Sequence, residues 1–581
     1  MNVFRFLLFF TIFSSAALPS IALNNDLNYA LQRKKNGLSV ISDRWMVSAA
    51  NPYAVEAGAK ILARGGSAAD AMVAVQSVLG LVEPQSSGIG GGGFLIWFDA
   101  ASGRITTLDG RETASRHVTP QLFQDESGQP LKFFDAVVGG RSVGVPGTPA
   151  LMLNAHKRWG KLDWSALFQP GINLAESGFM VSSRLSMLVA RDEKRLTRFE
   201  RTSTYFYPDG KPIKADNILK NLRYAKTLRA LASDRGRSFY HGKIARDIVD
   251  TVQSDAINPG HLDLSDLAGY RVKERSAVCI AYRDLDVCGM GPPSSGGVAV
   301  GQILGMLAGY DLAKMGPNSS DAWRLIGDAS RLAFADRGRY IADSDFVLVP
   351  VKGLLNEKYL KNRATLLNRK KALETVSPGN PTFHTANSFA DDESIELPST
   401  SHISIVDQYG NALSMTTTIE NAFGSRLMTK GGFLLNNEMT DFSFRDIKGG
   451  VPIANRVEPG KRPRSSMAPT IVLKNGKPYL VIGSPGGSRI IGFVAKAIIA
   501  YVDWGMTVQE AVSMPHFINR FGTFDLEINT KAEMMEGHLS FAGFKVKLRG
   551  LNSGLHAIAV YEDRLEGGAD PRREGLAYGN R

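Results

Sequence analysis

Cysteine is nearly absent from this chain. Only Cys279 and Cys288 occur, alongside nine dispersed histidines, so no metal-ligand spacing forms and neither metal nor other cofactor is expected. Long apolar runs are also missing. Beyond residue 22 nothing reaches the roughly 18 uninterrupted apolar residues of a membrane helix, so no integral span is expected once the N-terminus is removed. Concentrated charge is missing too. The net charge of +12 invites a nucleic-acid reading, but Lys and Arg are scattered apart from short groups at 369–371 and 461–464. That pattern belongs to solvated faces, and nucleic acid is not expected as a partner. Attraction to an anionic envelope surface stays open. There is no internal repeat and no low-complexity tract.

The first 22 residues carry Arg5, an apolar core at 6–13 and small residues around Ser20-Ile21-Ala22. They read as a secretory signal peptide cleaved after Ala22, with an uncleaved N-terminal anchor as the alternative. Export predicts a periplasmic or secreted protein. In such a compartment Cys279 and Cys288, which flank a hairpin-like stretch, are candidates for a structural disulfide if their Cα atoms come within about 7 Å. Hydrophobic residues make up 44% of the chain, enough for a sizeable core.

Apolar periodicity predicts helices over 54–62 and 68–81, joined at Gly65-Gly66, and a buried strand over 94–98. Gly88, Gly90 and Gly93 between them satisfy G-x-G-x-x-G. The order is helix, glycines, strand, the reverse of a dinucleotide site, so these glycines read as structural. Residues 147–264 are mainly helical in pattern, as is 321–335. Residues 369–398 are polar, with Pro378, Pro381 and Asp391-Asp392-Glu393, and read as a mobile segment. From residue 400 the pattern is strand-rich, with helices at 490–503 and 508–514. Residues alone support a mixed α and β fold.

The polar segment ends at Leu397-Pro398-Ser399-Thr400-Ser401-His402-Ile403-Ser404. Two β-branched runs follow, 402–406 and 412–419, around the turn-prone Asp407-Gln408-Tyr409-Gly410-Asn411. A hairpin centred on Tyr409 sets Thr400 opposite Thr418. A threonine hydroxyl is a weak nucleophile, but a free α-amino group, with a pKa of roughly 7.7–8.0, is a suitable base beside it. Cleavage after Ser399 would put both on Thr400. The plain alternative is a Ser/Thr loop feeding a strand.

Several long motifs occur in order: Glu83-Pro84-Gln85-Ser86-Ser87-Gly88-Ile89-Gly90-Gly91-Gly92-Gly93, Asp109-Gly110-Arg111-Glu112-Thr113-Ala114, Pro292-Pro293-Ser294-Ser295-Gly296-Gly297, Asn436-Asn437-Glu438-Met439-Thr440-Asp441-Phe442-Ser443, Arg464-Ser465-Ser466-Met467-Ala468-Pro469-Thr470 and Gly483-Ser484-Pro485-Gly486-Gly487-Ser488-Arg489. With the Thr400 junction they resemble the gamma-glutamyltransferase family of N-terminal-nucleophile hydrolases. The resemblance implies an α+β, four-layer αββα fold and a proenzyme cut between Ser399 and Thr400 into a large subunit, 23–399, and a small one, 400–581, held as a heterodimer. It implies Thr400 as nucleophile, Thr418 as the threonine that orients it, and Gly486 and Gly487 as oxyanion donors. Arg111, Ser465 and Ser466 would hold a substrate α-carboxylate; Glu438 and Asp441 would hold its α-ammonium. The implied activity is transfer of γ-glutamyl groups to water or amines, with glutathione as a candidate substrate.

One position departs from the pattern of well-known glutathione-hydrolysing members. Two residues after Thr418 they carry Asn, where this chain has Glu420. An ionised glutamate only accepts hydrogen bonds and repels a substrate carboxylate, unless it pairs with Arg111. The stretch between Ser443 and Lys461 is also shorter than the lid-bearing region of those members. Both features resemble the cephalosporin-acylase-like branch, so an amidohydrolase acting on glutaryl or related acyl groups is the second reading. A non-catalytic periplasmic binding protein is the third.

Overall fold

The computed structural model describes residues 25–382, 389–392, 394 and 399–580. The expected signal peptide, 1–22, lies outside them, as do parts of the polar segment, 383–388, 393 and 395–398. Two seven-stranded antiparallel sheets form the centre. The first runs in the order Leu576–Gly579, Met46–Ala49, Ser401–Val406, Ala412–Thr418, Gly92–Asp99, Arg104–Gly110, Lys273–Arg275. The second runs Val40–Ser42, Leu565–Ala569, His556–Val560, Lys477–Gly483, Thr470–Lys474, Leu285–Gly289, Val278–Tyr282.

The sheets pack face to face, with helices on both outer sides. Pro52–Ala63 and Ala68–Val82 cover the first sheet; Gly296–Leu307 and Ile490–Val502 cover the second. This is the four-layer αββα arrangement. The first helix pair follows local rules. Asn51 caps Pro52–Ala63 by accepting from Tyr53 N, with Pro52 at the first helical position. Gly65, at φ +86°, takes a backbone conformation that few side chains tolerate. Ser67 and Asp70 then close a capping box on Ala68–Val82.

The hairpin Ser401–Val406 and Ala412–Thr418 lies at the middle of the first sheet, and its alternation explains the layers. Ile403 pairs with Met415 and Ile405 with Leu413, and these apolar pairs belong to the core beneath the helices. His402 pairs with Thr416 and Ser404 with Ser414, facing the second sheet. There Ser414 Oγ donates to Ile482 O at 3.1 Å and Ser404 Oγ to His556 O at 3.1 Å. Burial holds His402 well below its usual pKa, so it sits neutral between Thr416 and Ser404. The sheets approach so closely that a Cβ on Gly483 would lie 2.2 Å from His402 Cε1. On the second sheet Cys279 stands opposite Cys288, and a disulfide joins them.

Candidate active site

The hairpin register pairs Ser401 with Thr417 and Val406 with Ala412, the register read from the sequence. One step further out, Thr400 enters the first strand where Thr418 leaves the second. Both are buried, and their hydroxyl oxygens are 3.3 Å apart. Both hydroxyls donate to the carbonyl of Ser399, Thr418 at 2.9 Å and Thr400 at closer range. Glu420 N donates to Thr418 Oγ1 at 2.9 Å, fixing that hydroxyl from behind. Ser399 is held by its own hydroxyl, 2.6 Å from Gln85 O, and Arg573 Nη1 donates to Thr400 O at 3.0 Å. The peptide carbonyl before Thr400 thus receives both hydroxyls, one of them the nucleophile candidate itself.

Gly486 and Gly487 form the turn between the strand Lys477–Gly483 and the helix Ile490–Val502. Their φ angles are +141° and +58°. A Cβ at Gly486 would lie 2.7 Å from the Phe493 ring, so the turn needs glycine for both space and conformation. Gly487 lines the same cavity as Thr400, Thr418, Arg111, Glu420, Glu438, Asp441, Ser465 and Ser466. Nine of the ten residues singled out in the sequence therefore meet in one place; Gly486 sits immediately behind the lining.

The anchor of that cavity is Arg111, fully buried. It ion-pairs with Glu438 through Nη1 and with Asp441 through Nη2, the latter at 2.5 Å. Nε donates to Pro463 O at 3.2 Å and Nη2 to Arg464 O at 2.9 Å. The pairing of Glu420 with Arg111 raised from the sequence is not made. Glu420 instead accepts from Asn437 Nδ2, because Arg111 is already engaged by two acids and two carbonyls. Glu420 also occupies left-handed backbone, φ +73°, a conformation that Asn adopts more readily than Glu. Ser465 Oγ accepts from Met467 N at 3.1 Å, and Ser466 Oγ from Arg337 Nη2 at 2.9 Å. Neither serine bonds Arg111. The cavity measures about 20 Å³ in the uncut chain, room for a water molecule, with the Ser399 carbonyl still lying on both threonine hydroxyls.

Glu112 was not singled out in the sequence. Both its carboxylate oxygens, and Oε2 of Glu438, are buried with no hydrogen-bond donor, yet the two side chains face each other as hydrogen-bond partners. A proton shared between the carboxyls bridges one oxygen of each and relieves their mutual repulsion. Burial pushes Glu112 up to about 8 and Glu438 well above the usual carboxylate range, against the pull of Arg111. The only sequence signal was adjacency to Arg111. Asn437 and Arg573 were also missed; no spacing rule links Arg573 to a strand entrance 173 residues away.

The shared proton has a pH consequence. A carboxyl with a raised folded-state pKa keeps its proton where the unfolded chain has lost it. Its stabilisation is full below about 4.5 and disappears as pH rises through about 8. Glu112→Gln lacks this dependence, so its stability relative to wild type is expected to improve between pH 5 and 8.5. Urea midpoints at both pH values check this, and an unchanged difference would contradict the shared proton.

Comparison with known proteins matches this geometry. The profile of the gamma-glutamyltranspeptidase family fits residues 54–580. The glutathione hydrolase proenzyme of Bacillus subtilis (strain 168) is 36% identical over 545 residues, covering 92% of this chain and 91% of the relative. The acylase ACY 1 proenzyme of Pseudomonas sp. (strain SE83) is 34% identical over 539 residues, covering 92% and 93%. The crystal structure of cephalosporin acylase from Bacillus halodurans superposes with a TM-score of 0.82 at 24% identity, covering 94% of this chain and 97% of that one, a likeness of fold. The family assignment sets aside the non-catalytic binding protein. The chain belongs to the gamma-glutamyltranspeptidase family and is an enzyme of its gamma-glutamyltransferase and glutathione-hydrolase kind.

Proposed function

We propose that Thr400 first cuts its own chain and then serves as the N-terminal nucleophile of γ-glutamyl transfer. The observation that carries this is the pair of hydroxyls, Thr400 and Thr418, on the Ser399 carbonyl. Thr400 Oγ1 attacks the Ser399 carbonyl carbon, the C–N bond breaks, and the hydroxyl proton ends on the departing nitrogen. Thr418 supports the developing oxyanion during this shift. Water then hydrolyses the ester, leaving a large subunit ending at Ser399 and a small subunit, 400–581, whose first residue carries a free amine. In turnover that amine takes the Oγ1 proton as the hydroxyl attacks the substrate amide, and passes it to the leaving amine. The Gly486 and Gly487 backbone N–H groups stabilise the oxyanion. Water or an acceptor amine releases the γ-glutamyl group. The signal-like sequence of the first 22 residues supports a periplasmic or secreted location for this reaction.

For the donor, Glu438 and Asp441 face an α-ammonium, while Arg111, Ser465 and Ser466 receive the α-carboxylate. Each must exchange a present partner for the substrate, and a zwitterionic amino-acid end replaces both halves of the Arg111 ion pairs at once. Glutaryl lacks the ammonium. A charge-assisted hydrogen bond contributes about 1.5–3 kcal/mol, so anilide release from the γ-glutamyl substrate is expected to exceed that from glutaryl by roughly 10- to 100-fold. Glu420 is the observation that favours the acylase reading, since its carboxylate lines the cavity. Glu420→Asn removes that repulsion and suits the left-handed backbone, so γ-glutamyl kcat/KM is expected to rise. Paired anilide assays on both proteins decide: faster glutaryl release by the wild type would make this an acylase, and no gain in the variant would remove Glu420 as the discriminating residue.

A further inference from the structure

The segments that carry Arg111 and Ser465 also build a second cavity, of about 220 Å³. Its lining includes Thr113, Arg116, Arg271, Lys273 and Arg462, opposed by Asp266 and Asp343. Both acids are already engaged. Asp266 accepts from Arg116 N at 3.0 Å and Asp263 N at 3.1 Å. Asp343 accepts from Arg462 N, Asp345 N and Arg275 Nη2 at 3.0–3.2 Å.

The cations are less completely matched. Arg462 is tied to Asp109 and to Arg271 O, and Lys273 to Asp345. Arg271 Nη1 donates to two carbonyls, Ala268 O and Tyr270 O. Among the described residues the Arg116 guanidinium has neither a hydrogen bond nor an ion pair. It lies against Gly269, where a Cβ would stand 2.5 Å from Nη2. Arg116, Arg271 and Lys273 are exposed on the wall of this open cavity, and a planar fork of donors beside carboxylates that already accept hydrogen bonds has the chemistry of an oxyanion receptor.

We propose that this cavity binds a small oxyanion, a carboxylate or phosphate group, with Arg116 as its main ligand and Arg271 and Lys273 as flanking charges. The volume suits an ion or small metabolite rather than a peptide. The cavity adjoins the catalytic anchor through Tyr270, whose hydroxyl donates to Arg111 O at 2.8 Å, and through the 462–464 run, whose Pro463 and Arg464 carbonyls receive Arg111.

The test titrates inorganic phosphate and, separately, succinate into the purified processed enzyme, both subunits together, by calorimetry, at ionic strength held constant with chloride so that screening cancels. Saturable binding of at least one probe is expected, weakened tenfold or more in Arg116→Gln. Gly269→Ala keeps every charge but pushes the guanidinium aside, and the same loss is expected there. Anilide turnover without added anion stays unchanged in both variants, which shows that they are folded. Tighter phosphate or tighter succinate binding names the class of ligand. No saturable binding of either probe, or equal binding in wild type and both variants, would overturn the proposal.

Discussion

Thr400→Ala is expected to remain one uncut chain and to lose amide turnover by at least about 10⁴-fold, since removal of a nucleophile from a concerted set costs that much or more. The methyl group cannot attack the Ser399 carbonyl, so neither the cut nor the free amine appears. Thr400→Ser keeps an oxygen at the same place and is expected to process, more slowly because the lost methyl frees the χ1 rotor. Gel electrophoresis over time separates the outcomes. A cut Thr400→Ala chain would mean that another group, or a contaminating protease, opens the junction.

Arg111→Ala is expected to produce the largest loss of stability among the cavity residues. Arg111, Glu438 and Asp441 form an ion-pair triad with Arg111 and Glu438 almost wholly excluded from solvent. Removing one partner of a buried pair costs about 3–5 kcal/mol because the opposite charge is left uncompensated. Here two acids lose their cation and the Pro463 and Arg464 carbonyls lose a donor. Urea unfolding of the processed protein reads this directly. Arg111→Lys restores charge but not the planar fork, so it is expected to recover only part of the stability. Wild-type stability in Arg111→Ala would show that the triad is dispensable.

Much of this was legible in the sequence because it depended on local patterns. The hairpin register followed from the turn at 407–411, and a period of two put Thr400 and Thr418 side by side. Apolar periodicity and the Gly65-Gly66 break place helices at 54–62 and 68–81, and the structure extends them to Pro52–Ala63 and Ala68–Val82 through their caps. The residues of the cavity came from motifs, each carrying its neighbours along. What could not be read was pairing among them. Opposite charge alone suggests pairing Glu420 with Arg111, whereas the fold gives Arg111 to Glu438 and Asp441 and sets Asn437 against Glu420. Glu112 has no sequence signature beyond its place beside Arg111, because a shared proton depends on burial and on which carboxyl it faces. Arg573 reaches Thr400 only after the C-terminal segment returns alongside the first sheet, a contact with no sequence signature.

The central claim is that Thr400, freed by cleavage, carries the acyl group. The most direct test is intact-mass analysis of the enzyme quenched with acid during turnover of a γ-glutamyl anilide, followed by peptide mapping. The account predicts a small subunit that begins at Thr400 and bears one γ-glutamyl group on that residue, removable by hydroxylamine. A small subunit beginning elsewhere, or an acyl group mapped to any other side chain, would contradict it.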